Sequence, residues 1–466
     1  MNAWNPIVLV IALCAVLATA ARADDAVKIG SRLEPFVDDY LIEKMDGVEL
    51  QLQHPVRREE VIRFDEPWEG ETCAYVTIFK DGPSYRMYYR GSRNDQVNPM
   101  VTCVAESKDA VHWTKPKLGL FDFNGSKQNN IVWSGEGAGE FTPFKDPNPD
   151  AKRSERYKAV STKIVGPRKA ALFVWVSPDG YRWKLMQDGP ILTDGHFDSQ
   201  NLAYWDAGRG EYVCYYRDYR NSTREIKRST SKDFVHWTPG EWVTYNTAPE
   251  EFYTNAITPY FRAPHIYVGF PKRFMIKRKV VESHPNPGVS DGVFMSSRDG
   301  LVFHKWAEAF LRPGLDQENW TDRNNMAAWG MLELQPGEIS IYYSQHYRHP
   351  TNGMVRTTIR TDGFVSVHAG GTAGEMVTKP IISWGKELVI NYSTGAAGGV
   401  QVEVQGADGR PIPGFALDDC PAIYGDQIER VVTWKSSDLS SLSGKPIRLR
   451  FRMTDADLYS MRFRSG

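Results

Sequence analysis

Short runs of alternating apolar and polar residues, parted by Gly- and Asp-bearing turns, make up most of this chain. Tyr75-Val-Thr-Ile-Phe79, an Asp81-Gly82 turn, Tyr85-Arg-Met-Tyr-Tyr89 and Val101-Thr-Cys-Val-Ala105 read as successive strands, because a period of two lines one face of a sheet. Leu202-Ala-Tyr-Trp205, a Gly208-Arg-Gly210 turn and Tyr212-Val-Cys-Tyr-Tyr216 repeat that order. Segments 257–261, 266–270 and 338–343 supply strands of later repeats.

A second pattern punctuates these groups. Ser, a residue or two, Asp, a short turn and an aromatic recur as Ser107-Lys-Asp109-Ala-Val-His-Trp113, Ser177-Pro-Asp179-Gly-Tyr-Arg-Trp183 and Ser231-Lys-Asp233-Phe-Val-His-Trp237. Ser296-Ser-Arg-Asp299-Gly-Leu-Val-Phe303 is a looser copy and Arg360-Thr-Asp362-Gly-Phe364 a degenerate one. A period of roughly 60 residues marks a repeat architecture. Four antiparallel strands per repeat predict a β-propeller blade, and five blades fill about residues 60–368. In each box the Asp accepts from turn amides while the aromatic packs between blades, which makes the boxes structural. Segment 36–42 reads as an extra strand that closes the ring against a late blade. After Ala369-Gly370-Gly371, strands at 387–392, 400–404, 430–434, 447–452 and 457–463 lack the box and predict a β-sandwich, read as a packing partner for the propeller.

The expected organisation is therefore all-β: a leader over 1–23, a five-bladed propeller with its closing strand over 24–369, and a β-sandwich over 370–466. The leader rests on the apolar stretch Ile7 to Ala20 and the small-x-small site Ala21-Arg22-Ala23. It predicts cleavage before Asp24 and a secreted or periplasmic product with no membrane association afterwards. With 56 Lys+Arg against 57 Asp+Glu, the chain has no basic footprint for nucleic acid. Its 14 Trp, 22 Tyr and 21 Phe suit a turn-rich β protein. Cys73, Cys103, Cys214 and Cys420 form no CxxC, so a zinc site is not expected; buried thiols with room for one bridge are. No cofactor or metal is expected, and the product reads as a monomer.

A five-bladed propeller with a C-terminal sandwich resembles the glycoside hydrolases of the levanase, invertase and fructanase type. More distantly it is similar to the arabinanase and β-xylosidase propellers. The run ending at Tyr89 and the box at Ser107–Trp113 look like their first blade. The resemblance implies three carboxylates at the axial pocket, on the innermost strands of the first three blades: a nucleophile or base, a transition-state stabiliser and a general acid. Phe144-Lys-Asp146-Pro147 is similar to the second-blade Arg-Asp-Pro motif, with Lys in place of Arg, which makes Asp146 the stabiliser. The first-blade Asn-Asp-Pro-Asn-Gly motif and the third-blade Glu-Cys-Pro motif are absent. Glu69, in Pro67-Trp68-Glu69-Gly70-Glu71, takes the place of base or nucleophile, and Asp198 or Glu251 that of the acid. Trp68, Asn201, Tyr253, Asn255 and Arg323 are the expected sugar-binding residues, with Trp205, Trp320 and Trp329 as further stacking candidates. Arg217, Arg273 and Arg323 are placed to contact a carboxylated or sulfated sugar. The expected activity is exo-acting hydrolysis of terminal glycosidic bonds in oligo- or polysaccharides, with retaining and inverting outcomes both open. Two alternatives stand beside it: a non-catalytic glycan-binding propeller and a phosphate-dependent glycoside phosphorylase.

Overall fold

The computed structural model describes residues 26–93, 98–435 and 438–465. The predicted leader lies outside the described residues.

Five sheets follow one another around a ring, each running from an innermost strand outward, antiparallel but for Thr244–Tyr245 beside Val302–Lys305. Blade one uses Ala74–Asp81, Ser84–Gly91, Val101–Ser107 and Ile131–Ser134; blade two uses Thr142–Lys145, Tyr157–Gly166, Lys169–Ser177 and Lys184–Leu185. Blade three runs Leu202–Asp206, Glu211–Arg220, Thr223–Ser231 and Glu241–Trp242. Blade four is built on Thr258–Tyr260, Ala263–Gly269, Met295–Ser297 and Val302–Lys305, with Phe252–Thr254, Lys272–Met275 and Val289–Gly292 as a small sheet beside it. Blade five takes Leu332–Gln335, Glu338–Gln345 and Gly353–Arg360, then borrows Val56–Arg63 as its fourth strand.

Ring closure therefore falls to Val56–Arg63, not to the predicted segment 36–42. Phe36, Val37 and Leu41 are buried, but they fill the seam between propeller and sandwich rather than extending a sheet. The closing strand, Val-Arg-Arg-Glu-Glu-Val-Ile-Arg, is mostly exposed on the rim and needs no apolar alternation.

The boxes do what their residue types dictate. In the first, Asp109 Oδ1 accepts from the amides of Val111 and His112 at 2.9 and 2.8 Å, Ser107 Oγ accepts from Ala110 N at 2.8 Å, and Trp113 Nε1 donates to Ala110 O at 3.0 Å. The boxes at Asp179 and Asp233 repeat this set. Neighbouring blades then read the turn: Tyr88 donates to Gly180 O at 3.0 Å, Tyr215 to Gly300 O at 2.7 Å and Tyr342 to Ala110 O at 2.8 Å. The last of these joins blade five to blade one.

The sandwich is dominated by two long strands, Glu387–Gly406 and Pro446–Arg464, paired along almost their whole length. Their register breaks between Thr394 and Gly399, where a Cβ at Gly398 would run into the Asp455 carbonyl. Val365–Ala369, Gly374–Thr378 and Ile381–Ser383 line the free edge of the second long strand. Residues 27–52, which the sequence reading placed with the propeller, pair here instead. Val27–Gly30 adds to Ile381–Ser383, Ile42–Asp46 to Gly374–Thr378, and Val48–Leu52 to Val365–Ala369. Ile29 and Ile42 on the paired strands, with Phe36 and Leu41 between them, enter the sandwich core beside Leu449, Phe451 and Leu458.

Polar ties fix the sandwich to the ring. Asp362, the degenerate box residue, accepts from Tyr260 and Arg262 of the propeller and from Asn391 and Ser460 of the sandwich, at 2.5–3.3 Å. Glu34 and Asp38 hold Arg298 at 3.0 and 2.9 Å. All four described cysteines are free and buried.

Candidate functional site

Each innermost strand has a leading end, where the chain enters it, and a trailing end. The trailing ends of the first three blades carry Asp81, Asp146 and Asp206, and the structure gives them one job. Each accepts from a tyrosine of the next blade: Tyr157 to Asp81 at 2.7 Å, Tyr212 to Asp146 at 2.7 Å, and Tyr267 to Asp206. Asp81 also binds Lys145 and Arg86, Asp146 binds Lys158 at 2.5 Å, and Asp206 caps the amides of Gly208 and Arg209. Asp146 is thus one of three inter-blade clasps, with its side chain fully buried, and the predicted stabiliser role does not fit it.

Glu69 is also internal to the fold. Its carboxylate is fully buried between Lys115 at 2.7 Å and the Tyr89 hydroxyl at 2.5 Å, and it accepts from Glu66 N. Trp68 is partly buried, donates to Asn130 at 2.7 Å and meets Phe123 edge-on inside blade one. Asn201 clamps its loop through Thr162, Phe197 O and Ser199 O, and Asn255 caps Ile257 N in a turn. Trp205 packs on Tyr212, Trp329 stacks on Tyr204, and Trp320 donates to Gly314 O. Arg273 is occupied by Asp291, Glu250 and the Ala307 carbonyl.

The leading ends are different. Between blades two and three, Glu140, Thr162, His196 and Asp198 line a cavity of about 500 Å³, with Arg168 and Lys169 at its rim. Glu140 ends a short 3₁₀ turn, Ala138–Glu140, just before the second innermost strand. Burial pushes its carboxyl up to about 7, with Arg90 and Arg217 opposing and Asp198 adding. Asp198, exposed just before the third innermost strand, is held by Arg217 at 3.3 Å. Two carboxyls of unlike environment on one small cavity make an acid and base pair possible. Sequence reading placed Asp198 here but missed Glu140, whose turn follows Gly135, Gly137 and Gly139. Its signal is position: it opens blade two as Asp198 opens blade three.

Tyr75 stands at the leading end of blade one with φ of 57°, and Arg323 before blade five has φ of 61°. A bulky residue in the left-handed region costs on the order of 1–3 kcal/mol, and such residues gather at functional sites. Burial first, then Tyr253, raises the Tyr75 phenol, so it stays protonated. Tyr253, on the strand paired with Lys272, forms an apolar cluster with Tyr75, Phe274, Met326 and Tyr347. Glu251 is ion-paired to Arg224 at 2.9 Å at the edge of this group. Arg323 pairs with Asp322, which also holds Arg348 at 3.1 Å.

Among the described residues, no three His, Cys, Asp or Glu side chains form a metal-binding group, and no helix is long and apolar enough to cross a membrane. His346 and His349 engage Asp316, Glu318 and Thr321.

No family model matches the chain, and no curated protein matches it. Among solved structures it is similar to a fructofuranosidase from Schwanniomyces occidentalis, at 11% identity over 87% of this chain and 98% of that one, with a TM-score of 0.42. A β-1,2-mannobiose phosphorylase from Listeria innocua matches at 11% identity over 67% and 98%, with a TM-score of 0.46. An N-acetylgalactosamine deacetylase from F. plautii matches at 14% over 72% and 96%, with a TM-score of 0.43. These three proteins carry three different activities.

Proposed function

We propose that the chain is a glycosidase acting on terminal sugars of an oligo- or polysaccharide, with Glu140 as general acid and Asp198 as nucleophile or base. One observation carries the reading: a desolvated carboxyl near pH 7 shares a small cavity with a second, ionisable carboxylate at the leading ends of adjacent blades. Near neutral pH a substantial fraction of Glu140 keeps its proton. It gives that proton to the leaving oxygen as the glycosidic C–O bond breaks. The electron-poor sugar carbon then faces Asp198, which either bonds to it or takes a proton from the water that does. The Tyr75 hydroxyl supplies a neutral donor beside them. In this reading the 1–23 leader exports the chain to its substrate.

The test is product release by purified residues 24–466 across a panel of plant and algal oligosaccharides, read by mass spectrometry. Release of a monosaccharide, abolished in Glu140→Gln and Asp198→Asn, is the expected result. A Glu140→Gln protein that turns over at the parent rate would refute the assignment.

A further inference from the structure

Four cations surround one aromatic ring. Lys272 Nζ lies 4.1 Å from the Tyr253 centroid, and the guanidinium carbons of Arg224, Arg323 and Arg217 lie at 5.5, 5.6 and 5.7 Å. A fifth, Arg90, covers the adjacent Tyr75 ring at 4.5 Å and donates to Thr72 O and the Tyr347 hydroxyl. Counter-ions are fewer. Asp198 serves Arg217, Glu251 serves Arg224, and Asp322 is shared by Arg323 and Arg348. Among the described residues no carboxylate forms an ion pair with Lys272 or Arg90. Lys272 is fully buried, and its ammonium donates to the Arg323 carbonyl at 3.2 Å.

A buried ammonium without a counter-ion is unfavourable, and a tyrosine face offsets only part of that. Burial and then Arg323 accordingly push Lys272 well below its ordinary value. Such a group becomes favourable when an anion enters, because planar guanidinium forks and an ammonium can share its oxygens. We propose that Lys272, Arg323, Arg224, Arg217 and Arg90 form a subsite for an anionic substituent, a carboxylate or sulfate, on the sugar whose bond Glu140 protonates. Arg217 connects the two sites, since it also holds Asp198 of the cavity at 3.3 Å. The proposal rests on the glycosidase reading for the identity of the sugar, but not for anion binding.

The experiment uses residues 24–466 carrying Glu140→Gln, to prevent turnover. Calorimetry with inorganic sulfate measures the bare anion, and galacturonate, galactose 6-sulfate and neutral galactose separate the two sources. Saturable sulfate binding, weakened at least tenfold by Lys272→Met, is expected, with one of the anionic sugars binding at least tenfold tighter than galactose. Arg323→Met, at a partly exposed position, repeats the test should Lys272→Met fail to fold. Absence of saturable anion binding overturns the subsite, as does equal affinity for galactose and both anionic sugars. Cleavage in the parent chain that requires inorganic phosphate and yields a sugar 1-phosphate also overturns it, by assigning the cations to a co-substrate. Anion binding without glycan cleavage on any substrate leaves the subsite standing and refutes the glycosidase. Cleavage of neutral glycans without anion affinity does the reverse.

Discussion

The two ends of the innermost strands hold similar residues under opposite conditions. At the trailing ends, Asp81, Asp146 and Asp206 are saturated by a tyrosine of the next blade and by cations or amides. At the leading ends, Glu140 is desolvated with no carboxylate-to-cation contact inside 4 Å among the described residues, and the cations Lys272 and Arg90 lack acids. Only four residues of strand separate Glu140 and Phe141 from Asp146, a span of roughly 20 Å at 3.3 Å per residue. A carboxylate whose lone pairs are all taken is part of the frame. One left short of partners is available to a substrate.

The largest effect expected of this contrast is on turnover. Glu140→Gln should lower kcat by about 10²–10⁴-fold, the usual contribution of a positioned proton donor. Because the acid form is present below about pH 7 and lost above it, wild-type activity should fall as pH rises through 7. A pH profile of kcat/KM checks this, and a limb far from 7 would detach Glu140 from the chemistry.

Asp146→Asn probes the other end. Breaking its buried pair with Lys158 should cost about 3–5 kcal/mol of stability, visible in urea unfolding, while the folded fraction keeps its turnover. Loss of turnover without loss of stability would move Asp146 back into the site.

Glu34, on the seam between propeller and sandwich, calibrates the scale of a saturated carboxylate. Burial alone would raise it, but the His265 ring 3.3 Å away and the charges of Arg298 and Arg32 outweigh that and bring it to about 2. A depressed carboxyl contributes stability that is present above its unfolded value near 4.5 and is lost as pH falls towards 2. Melting followed from pH 5 down to pH 2 should show a loss of about 3 kcal/mol that Glu34→Gln removes.

The smallest effect belongs to the clasps one bond at a time. Tyr157→Phe should cost about 1 kcal/mol for its one bond to Asp81, and Tyr212→Phe somewhat more, because its hydroxyl also accepts from Asn148. A loss of activity in Tyr212→Phe at unchanged stability would erase the distinction between the ends.

Much of the frame was legible because its causes are local. A box Asp reaches amides two and three residues on, so residue spacing alone exposes it. The blades follow from alternation and turns for the same reason. The site was not legible, because what distinguishes its residues is burial by distant segments. Glu136 and Glu140 share one glycine-rich loop, yet Glu136 is exposed against Lys163 and Glu140 is desolvated among Arg90, Arg217 and Asp198. Glu69 looked available in sequence and is sealed by Lys115, forty-six positions away. The closing strand escaped notice because a rim strand needs few apolar residues.

The way the ring is closed also governs the order in which the molecule can be made. Val56–Arg63 has to wait for Gly353–Arg360, and residues 27–52 have to wait for strands that begin at Val365 and end at Arg464. A nascent chain leaving the ribosome therefore carries its first strands unpaired until almost all of it has been synthesised. Closure over so many residues is entropically costly and slow, which favours holding the chain open until the last strand arrives. Removing the C-terminal strand would strip partners from the sandwich strands at both ends of the chain, Glu34–Pro35 included.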